Sequence, residues 1–195
     1  VIGRIEDIPA SWRTTLDNIR FHLRDAVLAG GALRDRDNGR PVKDLDVFVG
    51  GETERDLFAI RQKLVDAGFA CEEIDTERMY PIGEHEVVGF FGVRDPSVHL
   101  TGVPDAIQLI VVRWPTDQIV RRFDFGICQI AFDGTEVIRT AAYHTDKAER
   151  TFRICRQRED FELEASVKRY ARLLAKYEGW DFSLGEALGK DFLLG

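Results

Sequence analysis

One stretch, residues 27–50, constrains this chain more than any other: a glycine doublet, Gly30-Gly31, closes one apolar run, and two acids, Asp44 and Asp46, open the next. Side chains two apart on a strand share a face, so both carboxylates point one way while Leu45, Val47 and Val49 point into a core. Two anions on one face are costly unless a cation lies between them. A glycine doublet lets a phosphate approach backbone N–H groups closely. An acid pair at a strand entrance is, by itself, an ordinary solvated feature. Here it coincides with the doublet and with Arg34-Asp35 at the start of a short helix, and together they suggest a site for a nucleotide and divalent ions.

Composition sets the frame. At 195 residues and 44% hydrophobic, the chain is long enough for one sizeable core with an appendage and too short for two large domains. Its net charge of −7 excludes a protein that coats nucleic acid through a broad basic surface. A local patch survives: from Lys147 to Arg158 five cations, Lys147, Arg150, Arg153, Arg156 and Arg158, face the single acid Glu149. Such a run guides a polyanionic acceptor such as RNA or is a solvated helix face. Cys71, Cys128 and Cys155 lack metal-ligand spacing and read as free thiols. No stretch approaches the ~20 apolar residues of a membrane span, so no membrane partner and a cytoplasmic location are expected. The oligomeric state is not legible.

Along the chain, Trp12, Leu16, Ile19 and Leu23 predict an amphipathic helix over 10–25. A short strand follows at 26–29, then the glycine turn and a helix stopped by Asn38-Gly39, then a strand at 45–49. Residues 53–67 predict a helix with Thr53 as N-cap and Gly68 as stop. Strands are expected at 69–74, 86–93 and 106–112, with an irregular section at 75–84. A short helix follows at 115–122, and residues 123–134 read as a strand ending in an Asp133-Gly134 hairpin. Leu163, Val167, Tyr170, Leu174 and Tyr177 predict a helix over 160–178. The segment 179–195, with Trp180, Phe182, Leu184 and Leu188, is expected to pack back on the body.

The run GGALRD followed by DLDVFV resembles the GG-x-x-R-D and D-x-D signature of the polymerase-β-type nucleotidyltransferases, most closely the head domain of CCA-adding tRNA nucleotidyltransferases and bacterial poly(A) polymerases. A second segment, RRFDFGICQIAFD, is similar to that family's RRDFTINALAYD with one inserted phenylalanine. The resemblance covers roughly residues 20–140. It implies an α/β (α+β) polymerase-β-like fold, a small mixed twisted sheet flanked by helices. Residues 1–140 would be the catalytic head and 141–195 a C-terminal helical extension. It further implies transfer of a nucleoside monophosphate from an NTP to an acceptor hydroxyl with release of pyrophosphate. Asp44 and Asp46 would be catalytic and hold Mg²⁺ or Mn²⁺, and Gly30 and Gly31 would form the triphosphate turn. Arg34 and Asp35 would order that turn, and Arg121, Arg122 and Asp124 would line the nucleotide pocket.

The chain departs from the family in two respects. Where the family carries a third acid, this chain has Gln108, whose carbonyl ligates a metal weakly and which is neither an anionic ligand nor a general base. Asp105 and Asp124 are the acids available to substitute. Only about fifty-five residues follow the head, and no base-selecting E-D-x-x-R pattern is present, so ordinary CCA addition is not expected. The alternative is a catalytically impaired nucleotide- or RNA-binding module, a sensor or toxin-like partner protein. His22 reads as a surface residue, and His85, His99 and His144 are too dispersed for a zinc site. Trp114 reads as core in preference to a base-stacking platform.

Overall fold

The computed structural model describes residues 2, 4–75, 86–102, 107–155 and 160–183. Helix α1 (Ala10–His22) buries Trp12, Leu16 and Ile19, and Leu23 just past its end completes the stripe. The buried strand β1 (Val27–Ala29) runs into Gly30 at φ 76°, and α2 (Gly31–Asp37) starts at once. Strand β2 (Asp46–Gly50) follows, then α3 (Glu54–Asp66). The α3 cap is reciprocal: Thr53 accepts from the Asp56 N–H while the Asp56 carboxylate accepts from the Thr53 N–H, satisfying donors a helix start leaves open. Strands β3 (Ala70–Cys71), β4 (Val87–Arg94) and β5 (Ile107–Val112) come next. Two 3-10 turns, Thr116–Arg122 and Gly126–Cys128, lead to β6 (Ile130–Phe132) and β7 (Val137–Arg139). The described chain ends with α4 (Ala141–Glu149), β8 (Thr151–Arg153), α5 (Asp160–Leu174) and β9 (Asp181–Ser183).

Seven of these strands form one mixed sheet in the order β3-β4-β5-β2-β1-β6-β7. Only the central β2–β5 pair is parallel, its strands joined by a crossover containing α3. The antiparallel register sets Val27 against Phe48 and Leu28 against Val47. The end of β1 therefore lies beside the start of β2, which carries the glycine turn to the two acids. Leu45, Val47 and Val49 are buried as alternation predicts, but so is Phe48, on the carboxylate face. The Phe123 ring covers it edge-on at 5.9 Å.

Several expectations from the sequence need correction. The strand expected at 69–74 is two residues long, with one isolated bridge from Asp75 to Phe90. Most of the irregular section at 75–84 lies outside the described residues. Residues 123–134 are not one strand, because the buried Asp146 carboxylate accepts the Ile127 N–H at 2.9 Å and pulls Gly126–Cys128 into a 3-10 turn. Gly126 is required there, since a Cβ would sit 2.6 Å from Asp146 Oδ2. The hairpin at Asp133-Gly134 is present, with Asp133 Oδ1 accepting from the Thr135 and Glu136 N–H groups.

Helix α5 is rotated from its expected phase. Its inner face carries Leu163, Ser166, Tyr170 and Leu173, whereas Val167 and Leu174 are 44% and 43% exposed. Two polar contacts set that rotation: Ser166 Oγ donates to Asp124 Oδ2 at 2.5 Å and Arg169 Nη1 to Asp124 Oδ1 at 2.6 Å. Tyr177, Trp180 and Phe182 close on Phe152 and Phe125, and β9 pairs with β8. Leu184 and Leu188 lie outside the described residues. No helix among the described residues is long and apolar enough to cross a membrane.

Candidate active site

Gly30 donates its N–H to Ile130 O at 2.9 Å, fixing the turn to β6. Its positive φ is disfavoured for residues with a side chain, and an added Cβ would lie 2.9 Å from the Phe123 ring. Phe123, the residue inserted relative to the family segment, thus packs under both Gly30 and Phe48 and forms the floor between the turn and β2. The sequence flagged it only as an insertion.

Asp44 lies just before β2 with its side chain 52% exposed and Lys43 Nζ at 3.5 Å. Asp46 is the first residue of β2 and is half-buried. The parallel register puts Gln108 directly beside Asp46, and the Gln108 N–H is fixed on Leu45 O at 2.8 Å. Gln108 therefore stands where a third ligand would stand, carrying an amide. Among the described residues, no three His, Cys, Asp or Glu side chains group closely enough to hold a metal. The donor set, two accessible carboxylates beside one amide oxygen, fits a hard divalent cation that keeps water or phosphate oxygens on its other positions.

The remaining candidates sit deeper. Arg34 is 6% exposed. Its Nε donates to Asp35 Oδ1 at 2.8 Å and to the Tyr177 hydroxyl at 3.3 Å, while Nη1 reaches Cys128 Sγ at 3.2 Å. Asp35 also accepts from the Tyr177 hydroxyl at 2.7 Å and from Lys176 Nζ at 2.5 Å. Burial beside these groups pushes the Tyr177 hydroxyl well above the usual phenol range, which keeps it protonated and donating. This buried network braces α2 from behind. Asp124, the second substitute for the missing acid, is buried and engaged by Ser166, Arg169 and the Phe125 N–H. Asp105, the first, lies outside the described residues. Arg121 is exposed, and Arg122 pairs with Glu86 at 2.8 Å and lies over the Trp114 ring at 5.3 Å.

The basic run is partly consumed by internal pairs. Lys147 Nζ donates to Asp37 Oδ2 at 2.6 Å, and Arg153 is bound by Glu149 and lies 3.7 Å from Asp146. Arg156 and Arg158 lie outside the described residues. Cys71, Cys128 and Cys155 are free thiols, and Trp114 is buried. His22 is half-buried with its ring against Phe69, and His99 and His144 are exposed; His85 lies outside the described residues.

The family model described as Gabija anti-defense 2 family protein matches residues 7–150. The chain belongs to that family. Its fold is that of nucleotidyltransferase heads. A structure titled as a tRNA-processing enzyme superposes at a TM-score of 0.59 with 15% identity, over 91% of this chain and 45% of that one. The Bacillus stearothermophilus CCA-adding enzyme in complex with CTP gives 0.58 with 18% identity, over 91% and 42%. The Thermotoga maritima CCA-adding enzyme complexed with tRNA gives 0.58 with 12% identity, over 93% and 42%. This Gabija anti-defense 2 family chain thus spans less than half the length of these structures. No curated protein matches it.

Proposed function

We propose that this chain is a divalent-metal-dependent nucleotidyltransferase that modifies an acceptor in the course of countering the defence system named in its family. One observation supports the reading: the register of β1 on β2 brings the end of β1, from which the Gly30-Gly31 turn starts, beside Asp46 at the start of β2, two residues after Asp44. Residues 1–140 would form the catalytic head and 141–195 its extension. Backbone N–H groups at the turn would receive the triphosphate, with Arg34 and Asp35 holding the turn in shape from the buried side. Asp44 and Asp46 would hold the Mg²⁺ or Mn²⁺, beside the Gln108 amide oxygen. The bound ion would neutralise the triphosphate and lower the pKa of the attacking hydroxyl. In the transfer, the acceptor oxygen bonds to the α-phosphorus as the α–β bridging bond breaks, pyrophosphate leaves and the hydroxyl proton passes to water. Catalysis of this kind is positioning and charge neutralisation. The acceptor class is an RNA 3′ end, a small molecule or a protein side chain, and Arg121, Arg122 and the 147–158 run are the cations that would meet an RNA.

Gln108 favours a second reading, a nucleotide-binding module without turnover. Incubation with each labelled NTP, Mg²⁺ or Mn²⁺, and RNA or protein acceptors distinguishes the two. Transfer that disappears in Asp44→Ala and Asp46→Ala supports the enzyme, whereas saturable NTP binding with no transfer to any acceptor supports the module.

A further inference from the structure

The Tyr177 ring, fully buried just past α5, is shared by two guanidinium groups: Arg34 Cζ lies 5.5 Å from its centre and Arg40 Cζ 5.4 Å. Lys176 stands beside them, its Nζ on Asp35 Oδ2 at 2.5 Å. Three cations thus meet, and the one carboxylate they pair with, among the described residues, is Asp35. Arg34 and Lys176 use it. Arg40 does not: among the described residues its guanidinium makes no hydrogen bond or ion pair. The face of the ring attracts the cation without cancelling its charge, and a half-buried charge left uncompensated is costly. Arg40 is nonetheless held in place, since its backbone N–H donates to Asp35 O at 2.7 Å and Pro41 follows it. Five N–H donors are therefore positioned with no acceptor among the described residues.

We propose that Arg40, seated on Tyr177, is a phosphate-binding residue. A planar guanidinium matches phosphate oxygens two at a time, and the excess of positive charge around the ring favours a ligand with more than one negative charge. The place is close to the glycine turn: Arg34 Nη2 lies 3.8 Å from where a Gly31 Cβ would be, and Arg40 shares the ring with Arg34. A phosphate bound there belongs to an NTP or to the backbone of a polynucleotide acceptor. The inference needs neither a metal ion nor transfer, so it is separable from the nucleotidyltransferase reading.

The test is binding in EDTA, followed by fluorescence anisotropy over a series of salt concentrations, with a labelled ATP analogue and with a labelled single-stranded RNA. Arg40→Gln should lose about tenfold in affinity for at least one probe, the size expected of one charge-assisted contact. If the phosphate is the polynucleotide's, the RNA arm weakens and its slope of log affinity against log salt falls by about 0.7. If it is the nucleotide's, the ATP arm weakens instead, again with a shallower slope. Arg40→Lys should keep the slope, because the charge remains. Lys63→Gln removes the same charge from the exposed face of α3 and should change neither arm. Loosening of Tyr177 alone would lower affinity and melting temperature together and leave the slope untouched, so an unchanged slope in the weakened arm overturns the assignment. Unaltered affinity of Arg40→Gln for both probes, an equal loss in Lys63→Gln, or binding of neither probe by the unmodified protein overturns it as well. Binding that depends on Arg40, with no transfer once Mg²⁺ is added, supports the phosphate site and counts against the enzyme reading alone.

Discussion

Gly30 is fixed by two independent demands, a left-handed φ of 76° and a Phe123 ring 2.9 Å from any Cβ. Each excludes a side chain, and only the first leaves a trace in sequence, as a glycine beside a strand. Gly30→Ala should therefore cost roughly 1–3 kcal/mol of stability, measured by denaturant unfolding, because strain and overpacking act together. A paired Phe123→Leu change should recover only part, since it relieves the contact and leaves the φ. Gly31 is less demanding, the nearest neighbour of an added Cβ being Arg34 Nη2 at an ordinary contact distance of 3.8 Å. Gly31→Ala should be the milder of the two. The distinction separates the glycine the fold needs from the one a phosphate would need. A Gly31→Ala protein that melts normally but binds NTP weakly would place the phosphate at that backbone.

At the scale of elements, α5 is held to the head by Asp124. Removing that carboxylate takes from the half-buried Arg169 its ion pair at 2.6 Å, and breaking a largely buried pair costs up to about 3–5 kcal/mol. Asp124→Ala should speed amide exchange across 160–174 well before it affects β2 and β5, as read by hydrogen-exchange mass spectrometry. The same contact explains why the sequence misplaced the face of this helix. Apolar spacing selected Leu163, Val167, Tyr170 and Leu174, but Ser166 and Arg169 reach inward to a carboxylate forty residues upstream, and the helix turns to suit them. Hydrophobic periodicity carries no information about such a polar anchor. Where the apolar pattern alone decides, as in the helical stripe of α1 and the apolar run of β5, sequence and structure agree. The 3-10 turn at 126–128 escaped for a related reason: its cause, Asp146, lies twenty residues downstream and is legible only once α4 is in place.

At the scale of the whole molecule, two buried acids oppose each other in the pH dependence of stability. Lys147, Tyr143 and the Ile2 N–H hydrogen-bond the Asp37 carboxylate and hold it below its usual range despite burial. Its contribution is present above the unfolded value and is lost as pH falls through the folded one. Burial pushes Asp146 the other way, to about 6. Its contribution is complete in acid below the unfolded value and is lost as pH rises through about 6. Thermal melts from pH 4 to 8 should show a decline attributable to Asp146, absent in Asp146→Asn, whose oxygen still accepts from the Ile127 N–H. An Asp37→Asn protein should lose stability at pH 7 and change little at pH 3. If the chain binds NTP and metal, ligand at 100 times its Kd should add about 2.7 kcal/mol, a melting shift that Asp46→Ala abolishes. The glycine turn, the acidic strand and the fold class were all legible because local rules govern them. The packing of Phe123 against Gly30 and Phe48 was not, because it joins residues far apart in the chain.

The Asp35 carboxylate touches Arg34 beside the glycine turn and, 141 residues later, Lys176. A boundary drawn after residue 140 is thus a seam in the sequence and not in the bonding. A protein partner that gripped the outer face of α5, or a protease that severed it, would slacken the glycine turn without ever coming near it.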